Sequence, residues 1–262
     1  MRLHVVHHGI RRRRARRRRA LWTGGEVLVT VGVLLLILVV HQLWWTNREA
    51  RQGAERKVEA LEREWGVGAP DNRGDDSQAA EAGESGDGSH DSHDSDDADT
   101  TASSAAPASP PRWSQAYAIL TIPRLHLRVP VAEGIGKQSV LNKGYVGHYP
   151  GTGQPGRAGN FALAGHRNTH GEPFRYINRL APGDTVRVET RSAVYTYAVD
   201  RTLRQTSARD SGVIRPVPRS TVHPTYGYTA PGYYLTLTTC TPEYTSRYRL
   251  VVWGKLVSMR PR

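Results

Sequence analysis

Hydrophobic and polar positions divide the chain into four stretches. Residues 27–40 read VLVTVGVLLLILVV, and the 21 residues between Glu26 and Arg48 carry no charge. At about 1.5 Å per residue a helix of that length rises about 31 Å, enough to cross a hydrocarbon core of about 30 Å. Residues 48–65 keep helix-forming composition, with Val58, Leu61 and Trp65 spaced by three and four. This predicts a helix that extends the apolar one or packs on a neighbour. Residues 66–111 have almost no large apolar side chain. From Trp113 onward Gly and Pro recur every few residues, separating short runs of Val, Ile, Leu, Tyr and Thr. The predicted strands are 117–122, 125–131, 160–164, 185–190, 195–202, 233–239 and 247–257. Val186/Val188 and Tyr195/Tyr197/Val199 alternate with more polar neighbours at period two. Seven or eight short strands of this kind predict an all-β closed barrel or a sandwich. Short helices are predicted at 137–143 and 172–180.

Charge turns these stretches into a topology. Arginines at 11–14 and 16–19 directly precede the apolar run, which predicts a cytoplasmic N-terminus with everything after the run outside. Trp22 on one side and Trp44 and Trp45 on the other suit the two membrane interfaces. No A-x-A follows Trp45, so the run reads as an uncleaved anchor rather than a cleaved signal peptide. The predicted organisation is a basic cytoplasmic segment at 1–26, a transmembrane anchor at 27–47, a juxtamembrane helix and acidic linker at 48–111, and an extracellular domain at 112–262. The 262-residue chain has a net charge of +12 and 38% hydrophobic residues, and its charge is segregated. Residues 66–111 hold eleven acids against one Arg, and residues 112–262 hold 21 Lys/Arg against seven acids. The acidic stretch cannot bury enough surface to offset the entropy of ordering it. It reads as a disordered spacer that holds the domain off the membrane, with His90 and His93 as part of a solvated tract. The basic domain favours anionic wall polymers. The N-terminal arginines are read as orienting the anchor, and no nucleic-acid partner is assigned.

Candidate chemistry centres on one cysteine. Cys240 is the only one in the chain, so it forms no intrachain disulfide. It ends the run Tyr233-Tyr234-Leu235-Thr236-Leu237-Thr238-Thr239-Cys240, and Pro242 should stop the strand there. A thiol at a strand end is either a cleft nucleophile or a small buried hydrophobe. His166 follows the strand Asn160-Phe161-Ala162-Leu163-Ala164 in the same manner, as a base, a ligand or a surface residue. Arg249 opens the next apolar run, which lies within reach of an antiparallel pairing beside Cys240; Arg247 shares its face by period two. The three residue types form a working set. The thiolate is the nucleophile, the imidazole exchanges protons, and the guanidinium stabilises an oxyanion.

With these residues in view, the resemblance is specific. Thr236-Leu237-Thr238-Thr239-Cys240 resembles the TLxTC signature of sortases, and Arg nine positions later resembles the active-site arginine of that family. Ala164-Gly165-His166-Arg167 resembles the sortase histidine segment. Gly147-His148-Tyr149-Pro150-Gly151-Thr152, Pro155-Gly156-Arg157-Ala158-Gly159-Asn160 and Leu180-x-x-Gly183-Asp184 agree, so the likeness covers about 112–257. TLTTC-T-P with a short interval to Arg is most like class E sortases of high-GC Gram-positive bacteria. The resemblance implies an eight-stranded sortase β-barrel and a cysteine transpeptidase. The substrate it implies is a secreted protein with a LAXTG- or LPXTG-like sorting signal, cleaved between Thr and Gly and joined to a peptidoglycan-precursor amine. By position it implies His166 as acid/base, Cys240 as nucleophile, Arg249 as oxyanion stabiliser and Thr239 as a substrate contact. Glu133, Glu172 and Glu189 are scattered, so no metal and no cofactor are expected. The rival readings are a non-catalytic tethered barrel that binds anionic wall polymer or a partner, and an L,D-transpeptidase-like cysteine enzyme. The latter family has a His-Gly-Cys stretch, whereas here Thr239 precedes the cysteine.

Overall fold

The computed structural model describes residues 8–66 and 111–262. The expected acidic linker, with His90 and His93, lies outside the described residues except at its two ends, as do residues 1–7 of the basic segment. One helix, α1 (His8–Glu64), carries the apolar run and continues without a break through the juxtamembrane segment. Among the described residues it is the one helix long and apolar enough to cross a membrane. Eight strands follow: β1 (Ala116–Ile122), β2 (Leu127–Glu133), β3 (Val146–His148), β4 (Gly159–Ala164), β5 (Thr185–Thr190), β6 (Ala193–Ser207), β7 (Tyr233–Thr241) and β8 (Tyr248–Pro261). They close a barrel in the order β1-β2-β3-β4-β7-β8-β6-β5. The β2–β3 and β4–β7 pairs are parallel and the rest antiparallel. Closure leaves no unpaired sheet edge.

The predicted strands are present, with shifts that have local causes. The second begins at Leu127 rather than 125, because Pro123 opens a 3-10 turn and His126 leaves it in the left-handed region. The three-residue β3 is too short to register as a period-two pattern. Both predicted helices shrink to 3-10 turns, Leu141–Lys143 and Ile177–Arg179. Gly144 ends the first at φ 79°, and Pro173 lies inside the span predicted for the second. β6 runs for 15 residues because three register shifts let it bend around the barrel against β8.

The barrel interior is filled by alternating residues such as Leu120, Phe161, Leu163, Val188, Leu237 and Val252, all at most 1% exposed. Ile119, between two inward-facing positions of β1, points outward and is nevertheless buried, because α1 covers that face. The helix lays down Ala50, Ala54, Val58 and Leu61 at spacings of four, four and three, all buried. Val58 and Leu61 pack with Ala116, Ile119, Ala132 and Val140. Full burial of a Val or Leu side chain is worth about 1.5–3 kcal/mol, whereas an exposed ion pair is worth about 0–1. The apolar stripe therefore docks the helix, and the polar contacts along it decide what it orients. The barrel is thus docked directly on the continuation of the apolar helix, while the expected spacer falls on residues outside the described ones.

Candidate active site

Strand register brings the three predicted residues to one end of the barrel. In the parallel β4–β7 pair Ala164 lies opposite Thr238. The chain then runs two residues further on each strand, to His166 and to Cys240. The Gly165 N–H donates to the Thr238 carbonyl at 3.1 Å, which keeps the two ends together. On the other side of β7, Cys240 is the direct partner of Arg249 in β8. His166, Cys240 and Arg249 line a single cleft of about 730 Å³. The cysteine is partly exposed there, not enclosed in the core.

Each side chain in the cleft is held differently. The Arg249 guanidinium is fixed through Nη1, which donates to the Ser246 and Tyr248 carbonyls at 2.9 and 3.0 Å. Nε and Nη2 are left for a ligand in the cleft. The His166 Nε2 lies 2.9 Å from Asn142 Oδ1 in the Leu141–Lys143 turn. A carbonyl oxygen only accepts, so Nε2 carries the hydrogen and Nδ1 keeps the free lone pair. Burial, assisted by the nearby charges of His170 and Lys137, pulls the imidazole down from its ordinary 6.5 to about 4. The ring is therefore neutral at pH 7, with its Nδ1 lone pair unprotonated.

Thr239 stands apart from these three. It is buried, it does not line the cleft, and its hydroxyl donates to the Gly165 carbonyl at 2.8 Å. Successive strand residues face opposite sides, so the partial exposure of Cys240 turns Thr239 inward. Arg247 also differs from the expected geometry. β8 begins at Tyr248, so Arg247 belongs to the preceding turn, outside the period-two pattern. It is exposed and lies over the Tyr248 ring at 5.2 Å.

Residues 120–257 match the Sortase domain family. The chain belongs to the sortase family. It is 41% identical over 229 residues to Sortase SrtE1 of Streptomyces coelicolor, covering 86% of this chain and 53% of that protein. The chain thus spans about half the length of that relative. With Sortase SrtE2 of the same organism it shares 32% identity over 227 residues, 84% of this chain and 75% of the relative. Among solved structures, Sortase E1 from Streptomyces coelicolor with a tripeptide in its active site superposes with a TM-score of 0.54 at 52% identity, over 57% of this chain and 92% of that one. Sortase E from Streptomyces avermitilis gives 0.51 at 40%, over 57% and 93%. The expected eight-stranded sortase barrel is thereby borne out, along with the likeness to class E.

Several residues of this sortase site were not singled out from sequence. Asn142 orients the imidazole from a turn 24 residues upstream. Arg167 follows His166 directly and is buried; its Nη1 donates to the Cys240 carbonyl at 3.2 Å and to Thr241 Oγ1 at 2.9 Å. The guanidinium of Arg167 thus ties the histidine segment to the end of β7. A signal was present, since a second basic residue adjoins His166, but nothing in one strand tells which way it turns. His148, also in a quoted motif, is 1% exposed and bonds to Glu133, Tyr117 and Thr152 at 2.7, 2.9 and 2.9 Å. It braces the barrel rather than the cleft. The three carboxylates are engaged separately: Glu133 hydrogen-bonds with His148, Glu172 pairs with Arg51 and Arg175, and Glu189 pairs with Arg262.

Proposed function

We propose that this sortase is a membrane-anchored cysteine transpeptidase. It cleaves a LAXTG- or LPXTG-like sorting signal of secreted proteins between Thr and Gly and joins the acyl product to a peptidoglycan-precursor amine. The single observation that carries the reading is the shared cleft of Cys240, His166 and Arg249. The related Sortase E1 structure holds a tripeptide in its active site, which supports a peptide as the ligand of this cleft. In the first step His166 Nδ1 takes the thiol proton and the sulfur attacks the Thr carbonyl carbon. The oxygen of the tetrahedral intermediate becomes negative and is met by the Arg249 guanidinium. The C–N bond then breaks, and the imidazolium returns its proton to the departing Gly amine. The incoming amine attacks the thioester carbonyl, His166 takes its proton, and as the S–C bond breaks the departing sulfur receives that proton, restoring the Cys240 thiol and the neutral imidazole.

The same reading places the N-terminus in the cytoplasm and the barrel outside, from the arginines before the apolar run and the tryptophans at its ends. Mass spectrometry tests the chemistry. LAXTG and LPXTG peptides incubated side by side with the enzyme should leave a thioester adduct on Cys240 carrying the residues up to Thr. An enzyme that stays unmodified with both peptides overturns the reading.

Arg249 gives a separate expectation. Arg249→Lys keeps the charge and loses the planar fork, so turnover should fall about 100-fold in a peptide-cleavage assay. Arg247→Ala, outside the cleft, serves as the control with a far smaller effect. Equal losses in the two variants would remove Arg249 from its assigned role.

A further inference from the structure

The docked helix does more than attach the barrel. Beyond the stripe that packs on β1 and β2, its residues Trp44, Thr46 and Asn47 line the same cleft as Cys240. Asn47 Oδ1 accepts from the Gly171 N–H at 2.6 Å. Arg51 Nε donates to the Gly171 carbonyl and its Nη2 to Glu172 Oε2, both at 3.1 Å. One short piece of helix thus engages both backbone polar groups of Gly171 and the side chain of its neighbour. Glu172 passes the contact on to Arg175 at 2.7 Å, and Arg175 to the Tyr244 hydroxyl at 3.1 Å on the far rim of the cleft.

The segment so gripped has unusual backbone. His170, Gly171 and Glu172 are all in the left-handed region, at φ 51°, 83° and 53°. Two of the three are not glycine, and such residues persist in this conformation only where their surroundings impose it. The segment is bound to the histidine at both ends. His170 stacks on His166 at 5.3 Å between ring centroids, and the Phe174 N–H donates to the His166 carbonyl at 3.0 Å. The helix also rests on the other support of the imidazole. A Cβ at Gly144, beside the turn that carries Asn142, would lie 2.6 Å from the Ala50 carbonyl oxygen. Only a glycine, here at φ 79°, allows the helix to approach that turn so closely.

We infer that the anchor helix is a structural part of the catalytic centre, with Asn47 and Arg51 as positioning residues that hold the 170–172 segment and through it His166. The inference rests on the proposed role of His166 as acid/base. Neither residue touches the reacting atoms. They remove freedom from the support of the imidazole, and a misplacement of about 1 Å at a catalytic group costs up to about 100-fold.

The test uses the full chain in lipid nanodiscs, comparing the unaltered enzyme, the Asn47→Ala/Arg51→Ala double variant and Asn47→Asp. Both alanines suit a helix, so the helix itself should persist. In the double variant, amide hydrogen exchange across 169–174 should rise about 10-fold. Peptide-cleavage kcat should fall about 10-fold with a smaller change in KM. Asn47→Asp retains an oxygen that accepts from Gly171 N–H, and it should restore protection and most of kcat. Unchanged exchange in the double variant overturns the clamp. Faster exchange with unchanged kcat overturns its positioning role and leaves only packing. His166→Ala, assayed in parallel, reports on the underlying site: if it retains turnover, the acid/base assignment fails whatever the clamp variants do.

Discussion

Cys240→Ala should abolish cleavage of a sorting-signal peptide, with turnover falling by at least about 10,000-fold. The loss is this large because no other thiol exists in the chain to replace the nucleophile. The position tolerates the change sterically: the cysteine is partly exposed at a strand end, so removing its sulfur opens no core cavity. Folding should therefore survive, and a thermal melt close to that of the unaltered enzyme separates lost chemistry from lost structure. Chromatographic separation of the peptide fragments is the measurement. Residual cleavage within 10-fold of the parent would mean that the bond is broken by some other group.

His166→Ala should reduce turnover about 100- to 10,000-fold, the range of a lost general acid/base. The pH profile of the unaltered enzyme carries the more specific expectation. Burial lowers the imidazole to about 4 in the folded chain, against an ordinary value of 6.5. Proton uptake by His166 in the free enzyme is thus deferred to pH values well below 6.5. The acid limb of kcat/KM, which reports free-enzyme groups, should lie near 4 to 5 and be absent in His166→Ala. Stability moves in the same direction. The unfolded chain binds more protons at this residue than the folded one between about 6.5 and 4, so its contribution declines as pH falls through that window. An acid limb at or above 6.5 would show that the ring is not held neutral.

The proposed mechanism needs the oriented ring as well as the neutral one. Asn142 fixes the Nε2–H tautomer, which leaves Nδ1 as the base. The clamp from α1 then acts on the segment that stacks against this ring. On this proposal α1, the orienting turn and the cleft form a single mechanical unit, so a barrel separated from its helix is expected to be a different catalyst from the full chain. That follows from the helix having no break between the apolar run and the cleft wall.

The strands were legible because their information is local. Alternation at Val186/Val188 and at Tyr195/Tyr197/Val199 marks a half-buried strand whatever it pairs with. The apolar run was equally plain, since 21 uncharged residues admit few other fates in water. The short helices were overread: composition suggested two turns or more at 137–143 and 172–180, and Gly144 and Pro173 cut them to 3-10 turns. Val58, Leu61 and Trp65 announce an apolar stripe, yet a stripe does not name the surface that will cover it.

By itself, then, the sequence determined a basic-then-apolar helix, an all-β domain, and the cysteine, the histidine segment and the arginine as candidates, all of which are properties of residues close together along the chain. Only the tertiary structure decided that His166 shares one cleft with Cys240 and Arg249, that His148 serves the barrel wall, and that Asn142, Asn47 and Arg51 support the site. The last two reach Gly171 and Glu172 across separations of 124 and 121 residues. Contacts at such distances are set by how the strands close into a barrel and by where a helix finds room to lie on it, and neither is written in any local pattern.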